Sequence, residues 1–225
     1  MVKWLRGIAL GVALLMTGAC VSFNWVPESM LVSQLAPLSV TVHHRLGGGS
    51  GVWIGEDLVL TAKHVVLSYD GWREDIHVVD LSGYSYPAKV IVFEKEPQSF
   101  IQHDWVILRV EGAERQNWAR PDCGSRYVGE KVIGFGNGHL YTGLLPYMGV
   151  IQTVKYNPSA LPNMKTYWGD AILTTLDGAP GVSGGPVFDM EGDLIGMMVG
   201  AFQDRRAGSF QQITYPVRHI EIMCP

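Results

Sequence analysis

Three residues of complementary chemistry are spread along this chain. Ser183 stands among glycines in Gly181-Val182-Ser183-Gly184-Gly185-Pro186, ahead of apolar Val187 and Phe188. His64 lies within Thr61-Ala62-Lys63-His64-Val65-Val66, and Asp104 precedes the apolar run Trp105-Val106-Ile107-Leu108. A serine hydroxyl is a weak nucleophile until a base takes its proton. Histidine titrates in the range where such a base works, and a carboxylate fixes its tautomer and orientation. Gly181 carries no side chain, so its N–H can turn toward the same point as that of Ser183, and two such donors hold a developing oxyanion. Taken singly, each feature has an ordinary reading: a glycine turn, a core histidine, a solvated carboxylate. It is their joint occurrence that points to acyl-transfer chemistry.

The segments Thr61 to Val65 (T-A-x-H-V), Asp104 to Leu108 (D-x-V-x-L) and Gly181 to Pro186 (G-x-S-G-G-P) occur in that order, and Gly49-Ser50-Gly51-Val52 precedes them. Together they resemble the chymotrypsin-like (trypsin-like) serine proteases over about Val40 to Pro216. The resemblance implies His64 as general base, Asp104 as its orienting partner, Ser183 as nucleophile and the N–H groups of Gly181 and Ser183 as oxyanion hole. It implies an all-β fold of two six-stranded antiparallel barrels with the active site in the cleft between them. It also implies a substrate pocket walled by Val199, Gly200 and Ala201 with Gly208 opposite. In trypsin itself an aspartate placed like Asp177, six residues before the serine, floors that pocket and selects lysine or arginine. In HtrA-type enzymes an aspartate nearby is structural, and both readings of Asp177 stay open.

Two departures from the pattern carry meaning. Family members activated by cutting have an aspartate before the serine, to receive a freed N-terminus. Val182 stands there and cannot receive an ammonium, so activation of that kind is not expected. This moves the resemblance toward exported bacterial proteases of the HtrA or glutamyl-endopeptidase type, without a PDZ domain, since the chain ends about nine residues after the last candidate strand. Lys63 stands where a small residue is common, and its ammonium either perturbs His64 or faces water, the simpler expectation.

These side chains need a frame. Among 225 residues, 47% hydrophobic, glycine is plentiful and long helical periodicity scarce, which favours short strands. Candidate strands run over Leu38 to His44, Ser50 to Ile54, Leu58 to Thr61, Ile76 to Asp80, Ala88 to Phe93 and Trp105 to Val110, with Gly47-Gly48-Gly49 as a turn and His64 on a helical turn over Ala62 to Leu67. A second set covers Lys131 to Gly134, Tyr147 to Val154, Ala171 to Thr175, Pro186 to Asp189, Leu194 to Val199 and Gln211 to Pro216. Six strands suffice to close a small barrel. The division expected is a signal over 1–20, a tether over 21–37 packed in part through Trp25 and Leu31, a first barrel over 38–115, a connector over 116–128, and a second barrel with a short C-terminal helix over 129–225.

At the N-terminus, Lys3 and Arg6 precede an apolar run too short to span a bilayer comfortably, followed by Thr17-Gly18-Ala19-Cys20. The stretch fits a lipoprotein signal with Cys20 lipidated, an ordinary cleaved signal, or an uncleaved anchor; the first fits best, although Thr17 stands where the lipobox prefers leucine. All three place the protein outside the cytoplasm, and the first makes it lipid-anchored in a bacterial cell envelope. With Cys20 lipidated, Cys123 and Cys224 remain as a pair. A bond between them, of a general kind trypsin-like enzymes have, would staple the C-terminal tail across the connector. Spacing alone establishes no bond, and two free thiols remain the alternative. The formal net charge of -4 gives nucleic-acid binding no support. No histidine pair shows ligand spacing on one element, so neither a catalytic metal nor another cofactor is expected. The partners expected are a protein or peptide substrate and, through the lipid, a membrane. The function expected is a serine endopeptidase. The competing readings are an inactive protease-fold binding module, against which the intact triad speaks, and an esterase using the same residues, for which no sequence feature speaks.

Overall fold

Short runs of β-branched and apolar residues between glycine-bearing turns form strands, and the strands close on themselves. The computed structural model describes residues 27–68, 71–93, 104–140, 143–156, 171–204 and 209–225. In the first half, β1 (Ser39–His44), β2 (Gly47–Trp53), β3 (Leu58–Thr61), β6 (His77–Val79), β7 (Ser85–Phe93) and β8 (Val106–Val110) make a closed barrel in the order β1-β2-β3-β8-β7-β6. A two-strand ribbon of β4 (Leu67–Ser68) and β5 (Gly71–Trp72) lies between β3 and β6 in the chain. In the second half, β9 (Lys131–Gly136), β10 (Leu145–Tyr156), β11 (Ala171–Thr174), β12 (Pro186–Phe188), β13 (Leu194–Asp204) and β14 (Ser209–Pro216) close as β10-β11-β14-β13-β12-β9. Every pairing between these barrel strands is antiparallel. Closure leaves neither barrel with an open edge strand. This is the two-barrel architecture expected from the resemblance.

Each barrel is filled from inside. Val40, Val42, Val59, Val106 and Leu108 are fully buried in the first, and Val132, Ile172, Val187 and Met198 belong to the buried cluster of the second. Phe135 and Phe188 meet edge to face, their ring centres 6.1 Å apart. Between the barrels the connector is clipped to β13: Asp122 N–H donates to the Leu194 carbonyl at 2.9 Å, and Leu194 N–H to that of Arg120 at 2.7 Å. Arg126, mostly buried, bonds Glu130 at 2.9 Å and Asp189 at 3.1 Å, and also Asp122. Cys123 and Cys224 form a disulfide, with Cα atoms 5.7 Å apart, which ties the C-terminal tail to the connector.

The chain differs from the sequence reading in several local ways. Gly47-Gly48-Gly49 is not the turn but the start of β2, paired with His44, His43 and Val42. A two-residue connection, Arg45-Leu46, closes this hairpin instead, with the Arg45 N–H held by Asp75 Oδ2 at 2.7 Å. Within the stretch read as a tether, Glu28–Leu35 form helix α1. Its Leu31 and Leu35, one turn apart, are buried and pack over the turn at Gly192. The tail forms only a short 3₁₀ turn over Val217–His219. Strands β10 and β13 run well past their expected ends, through shifts of register that let a long strand bend around a barrel. The N-terminal segment that contains Cys20 lies outside the described residues.

Candidate active site

His64 is carried by α2 (Lys63–Val66), a single helical turn. Ala62, Val65 and Val66 anchor the turn in the core, and His64 stands on its outer side with 39% of its side chain exposed. Asp104 precedes β8 and is 1% exposed. Its two oxygens are both used by one residue: Oδ1 accepts the His64 backbone N–H at 2.9 Å, and Oδ2 lies 2.6 Å from the His64 Nδ1. A carboxylate so placed makes Nδ1 carry the proton and leaves Nε2 as the free base. Burial pulls the His64 pKa down, but the hydrogen bond and charge of Asp104 together outweigh it, and the net shift is upward. Contrary to the simpler expectation, Lys63 does not face water: it is 6% exposed, its aliphatic stem taken into the interior.

The loop 180–183 is set by where its carbonyls go. The Pro180 carbonyl accepts the His139 N–H at 2.5 Å. The Gly181 carbonyl accepts the Ser50 hydroxyl at 2.8 Å. The Val182 carbonyl accepts the Gly185 N–H at 2.9 Å, and the Ser183 carbonyl accepts the Ser50 N–H at 2.7 Å. In a trans peptide the N–H points opposite to the preceding carbonyl. Holding the Pro180 and Val182 carbonyls therefore aims the N–H groups of Gly181 and Ser183 away from those partners. Gly181 has φ +101°, and a β-carbon there would lie 2.2 Å from the Asn137 carbonyl oxygen, so only glycine fits. A β-carbon on Gly184, φ +84°, would come equally close to the Ser50 carbonyl oxygen.

The two barrels meet at this point. The Ser183 carbonyl and the Val65 side chain both abut Gly49, at the start of β2, so the serine loop lies beside the turn that carries His64. Ser50 is fully buried. Besides its two bonds to the loop, its hydroxyl accepts the Asn137 N–H at 2.9 Å, so one residue from the first barrel fixes two segments of the second. Sequence reading singles Ser50 out only as part of a strand start, and it passes over His139. That residue sits at φ 60°, a left-handed conformation uncommon for a side-chain-bearing residue, with its N–H on the Pro180 carbonyl.

Beside Ser183 opens a cavity of about 290 Å³. It is lined by Gly178, Ala179, Pro180, Val182 and Ser183, by Gly200 and Ala201 of β13, and by Gln212 of β14. Of the residues expected to wall a pocket, Gly200 and Ala201 line this cavity, Val199 is buried, and Gly208 lies outside the described residues. Asp177 is exposed and does not line the cavity. Its charge instead falls on Tyr147, whose phenol is pushed up by burial, pulled back by a hydrogen bond with the Gly138 backbone, and pushed up further by Asp177. Val182 is 3% exposed and belongs to the second barrel's apolar core. Among the described residues no group of three or more His, Cys, Asp or Glu is placed to hold a metal ion.

A family model described as "Trypsin-like peptidase domain" matches residues 49–197. Protease Do-like 1, chloroplastic, of Arabidopsis thaliana is 28% identical over 176 residues, which are 76% of this chain. The chain spans 37% of that relative's length, and 53% of a second curated relative's. Among solved structures, an inactive form of Rv3671c from M. tuberculosis H37Rv, carrying a serine-to-alanine change, superposes with a TM-score of 0.71 at 18% identity, covering 87% of this chain and 89% of that one. The HtrA-type protease AlgW with a tripeptide superposes with a TM-score of 0.70 at 23% identity, covering 86% of this chain and 61% of that one. At such identities these structures speak for the shared fold.

Proposed function

The chain belongs to the trypsin-like peptidase family, and from that premise we propose that it is a serine endopeptidase working through an acyl-enzyme, with Ser183 as nucleophile, His64 as base and Asp104 as orienter. The observation that carries the proposal is the doubly bonded His64–Asp104 pair, 2.6 Å from Nδ1 to Oδ2, beside the serine loop. In this reading Ser183 Oγ attacks the scissile carbonyl carbon while His64 Nε2 takes its proton. The carbonyl oxygen becomes an oxyanion bonded by the N–H groups of Gly181 and Ser183. Collapse breaks the C–N bond, and His64 returns the proton to the leaving amine. A water then attacks the acyl-enzyme with His64 again as base, and the acid product leaves. A fluorophosphonate probe tests the reading: it labels the protein, and the label is absent from a Ser183→Ala control. A folded protein that takes no label would make the site inert and the reading wrong.

The shift at His64 fixes the sign of the pH dependence. Catalysis needs the neutral ring, so kcat/KM falls as pH drops through the folded-state pKa. That pKa is raised above 6.5, so the acid limb of the profile has its midpoint above 6.5. Stability runs the opposite way. A raised folded pKa contributes stability below the unfolded value, and this is lost as pH climbs through the folded value. A midpoint at or below the ordinary histidine value would contradict the assignment of Asp104.

Ser50→Ala leaves the Gly181 carbonyl and the Asn137 N–H unpaired in the interior. The expected result is a kcat lower by about tenfold to a hundredfold with KM little changed, because the hydroxyl positions the oxyanion loop and not the substrate. Steady-state kinetics on a peptide substrate checks this, and a rise in KM alone would speak against it.

We also propose that the protein is exported and held in the cell envelope through a lipid on Cys20, a reading supported by the charged, then apolar, then small-residue order of the leader. Labelling of the expressed protein by palmitate, lost in Cys20→Ser, is the expected outcome. Equal labelling of both would remove Cys20 from the proposal.

A further inference from the structure

One residue lining the cavity beside Ser183 carries a buried polar atom with nothing to bond. Gln212 is 1% exposed. Its Nε2 donates to the Gly200 carbonyl at 2.6 Å and to the Ile213 carbonyl at 3.3 Å. Both partners only accept, which fixes the amide this way round. Oε1 is left buried with no partner. It lies under Gly178: a β-carbon on that glycine would stand 2.8 Å from Oε1 and 2.4 Å from the Ala201 β-carbon. Gly178 and Ala201, which both line the cavity, thus approach each other closely, and the bare glycine packs against the acceptor.

We propose that this slot takes a short side chain carrying a neutral hydrogen-bond donor, that of serine, threonine or asparagine, at the residue before the cleaved bond, and that Gln212 Oε1 reads the donor. The inference rests on the endopeptidase reading for what it calls substrate. A small displacement of Gly178, which has no side chain to carry with it, lets the donor reach Oε1. A buried acceptor without a partner is costly, and a donor from the substrate relieves that cost where a methyl group of the same shape does not. The close approach of Gly178 and Ala201 favours a short side chain beside the acceptor. Lysine and arginine find no carboxylate among the described residues that line the cavity, and an ammonium buried without one is strongly disfavoured.

Threonine and valine are nearly the same shape, so they isolate the hydroxyl. In a peptide series differing only at the residue before the bond, threonine is cleaved with a kcat/KM about tenfold above valine. The same peptides bind to a Ser183→Ala variant, followed by NMR titration, with a similar preference. Gln212→Met brings the threonine-to-valine ratio close to one. Gly178→Ala, which places a methyl against Oε1, does the same. The binding arm decides the pocket and the cleavage arm decides the chemistry. Preferential binding of threonine without cleavage upholds the slot and overturns the endopeptidase reading. Equal binding of threonine and valine, binding of neither, or a preference for lysine or arginine overturns the slot.

Discussion

Ser183→Ala lowers kcat by about 10⁶ and leaves the fold in place. The magnitude follows from what the substitution removes. Without Oγ there is no atom to attack, and His64 and Asp104 then hold a proton path that leads nowhere. The groups act as a unit, so losing the nucleophile forfeits nearly all that the three supply together. A residual rate above water remains, because the N–H groups of Gly181 and Ser183 belong to the backbone and survive the change. The fold survives for a structural reason. Ser183 is held through its carbonyl, which accepts the Ser50 N–H at 2.7 Å, and not through its hydroxyl. Single-turnover hydrolysis of a peptide ester, alongside thermal unfolding of both proteins, checks the prediction. A loss of tenfold or less with unchanged unfolding would mean that another residue is the nucleophile.

How much of this could be read from the chain depends on range. The three residues proposed for the chemistry stand out in the sequence because chemistry restricts their neighbours locally: a serine presented by glycines, a histidine on a tight apolar turn, an aspartate opening a buried strand. Strand positions were legible because β-branched runs between turns leave little choice. The serine loop's supports were not. Ser50 meets Gly181 across 131 residues and Asn137 across 87, and no local pattern marks a serine as a clamp. Glycine misled once: Gly47 to Gly49 form strand and not turn, because a bare residue serves close packing as well as tight bending. Helix α1 was passed over because its buried pair, Leu31 and Leu35, is a thin periodic signal between Pro27 and Pro37. Asp177 shows the limit of residue-by-residue transfer. Its separation from Ser183 matches a pocket floor, yet its side chain is exposed and off the cavity, and Gln212, from a strand near the end of the chain, is a polar residue that lines it.

Asp104→Asn lowers kcat by about 10⁴, and the two hydrogen bonds of Asp104 say why. The substituted amide has one oxygen where the carboxylate has two. The His64 backbone N–H, 2.9 Å from Oδ1, can only donate, so it claims that oxygen. The amide NH₂ is then left at the position of Oδ2, 2.6 Å from Nδ1. Two donors cannot face each other, so Nδ1 gives up its proton and becomes an acceptor, and the proton moves to Nε2. The ring keeps its place but presents an N–H to Ser183 where a lone pair is needed. The loss is therefore one of tautomer and charge. The raised His64 pKa should fall as well, since the bond and charge that outweigh burial are both gone. A proton NMR titration of His64 in both proteins, read beside kcat, separates this account from simple loss of structure. A small drop in kcat with the His64 titration unmoved would show that the carboxylate neither orients nor charges the ring.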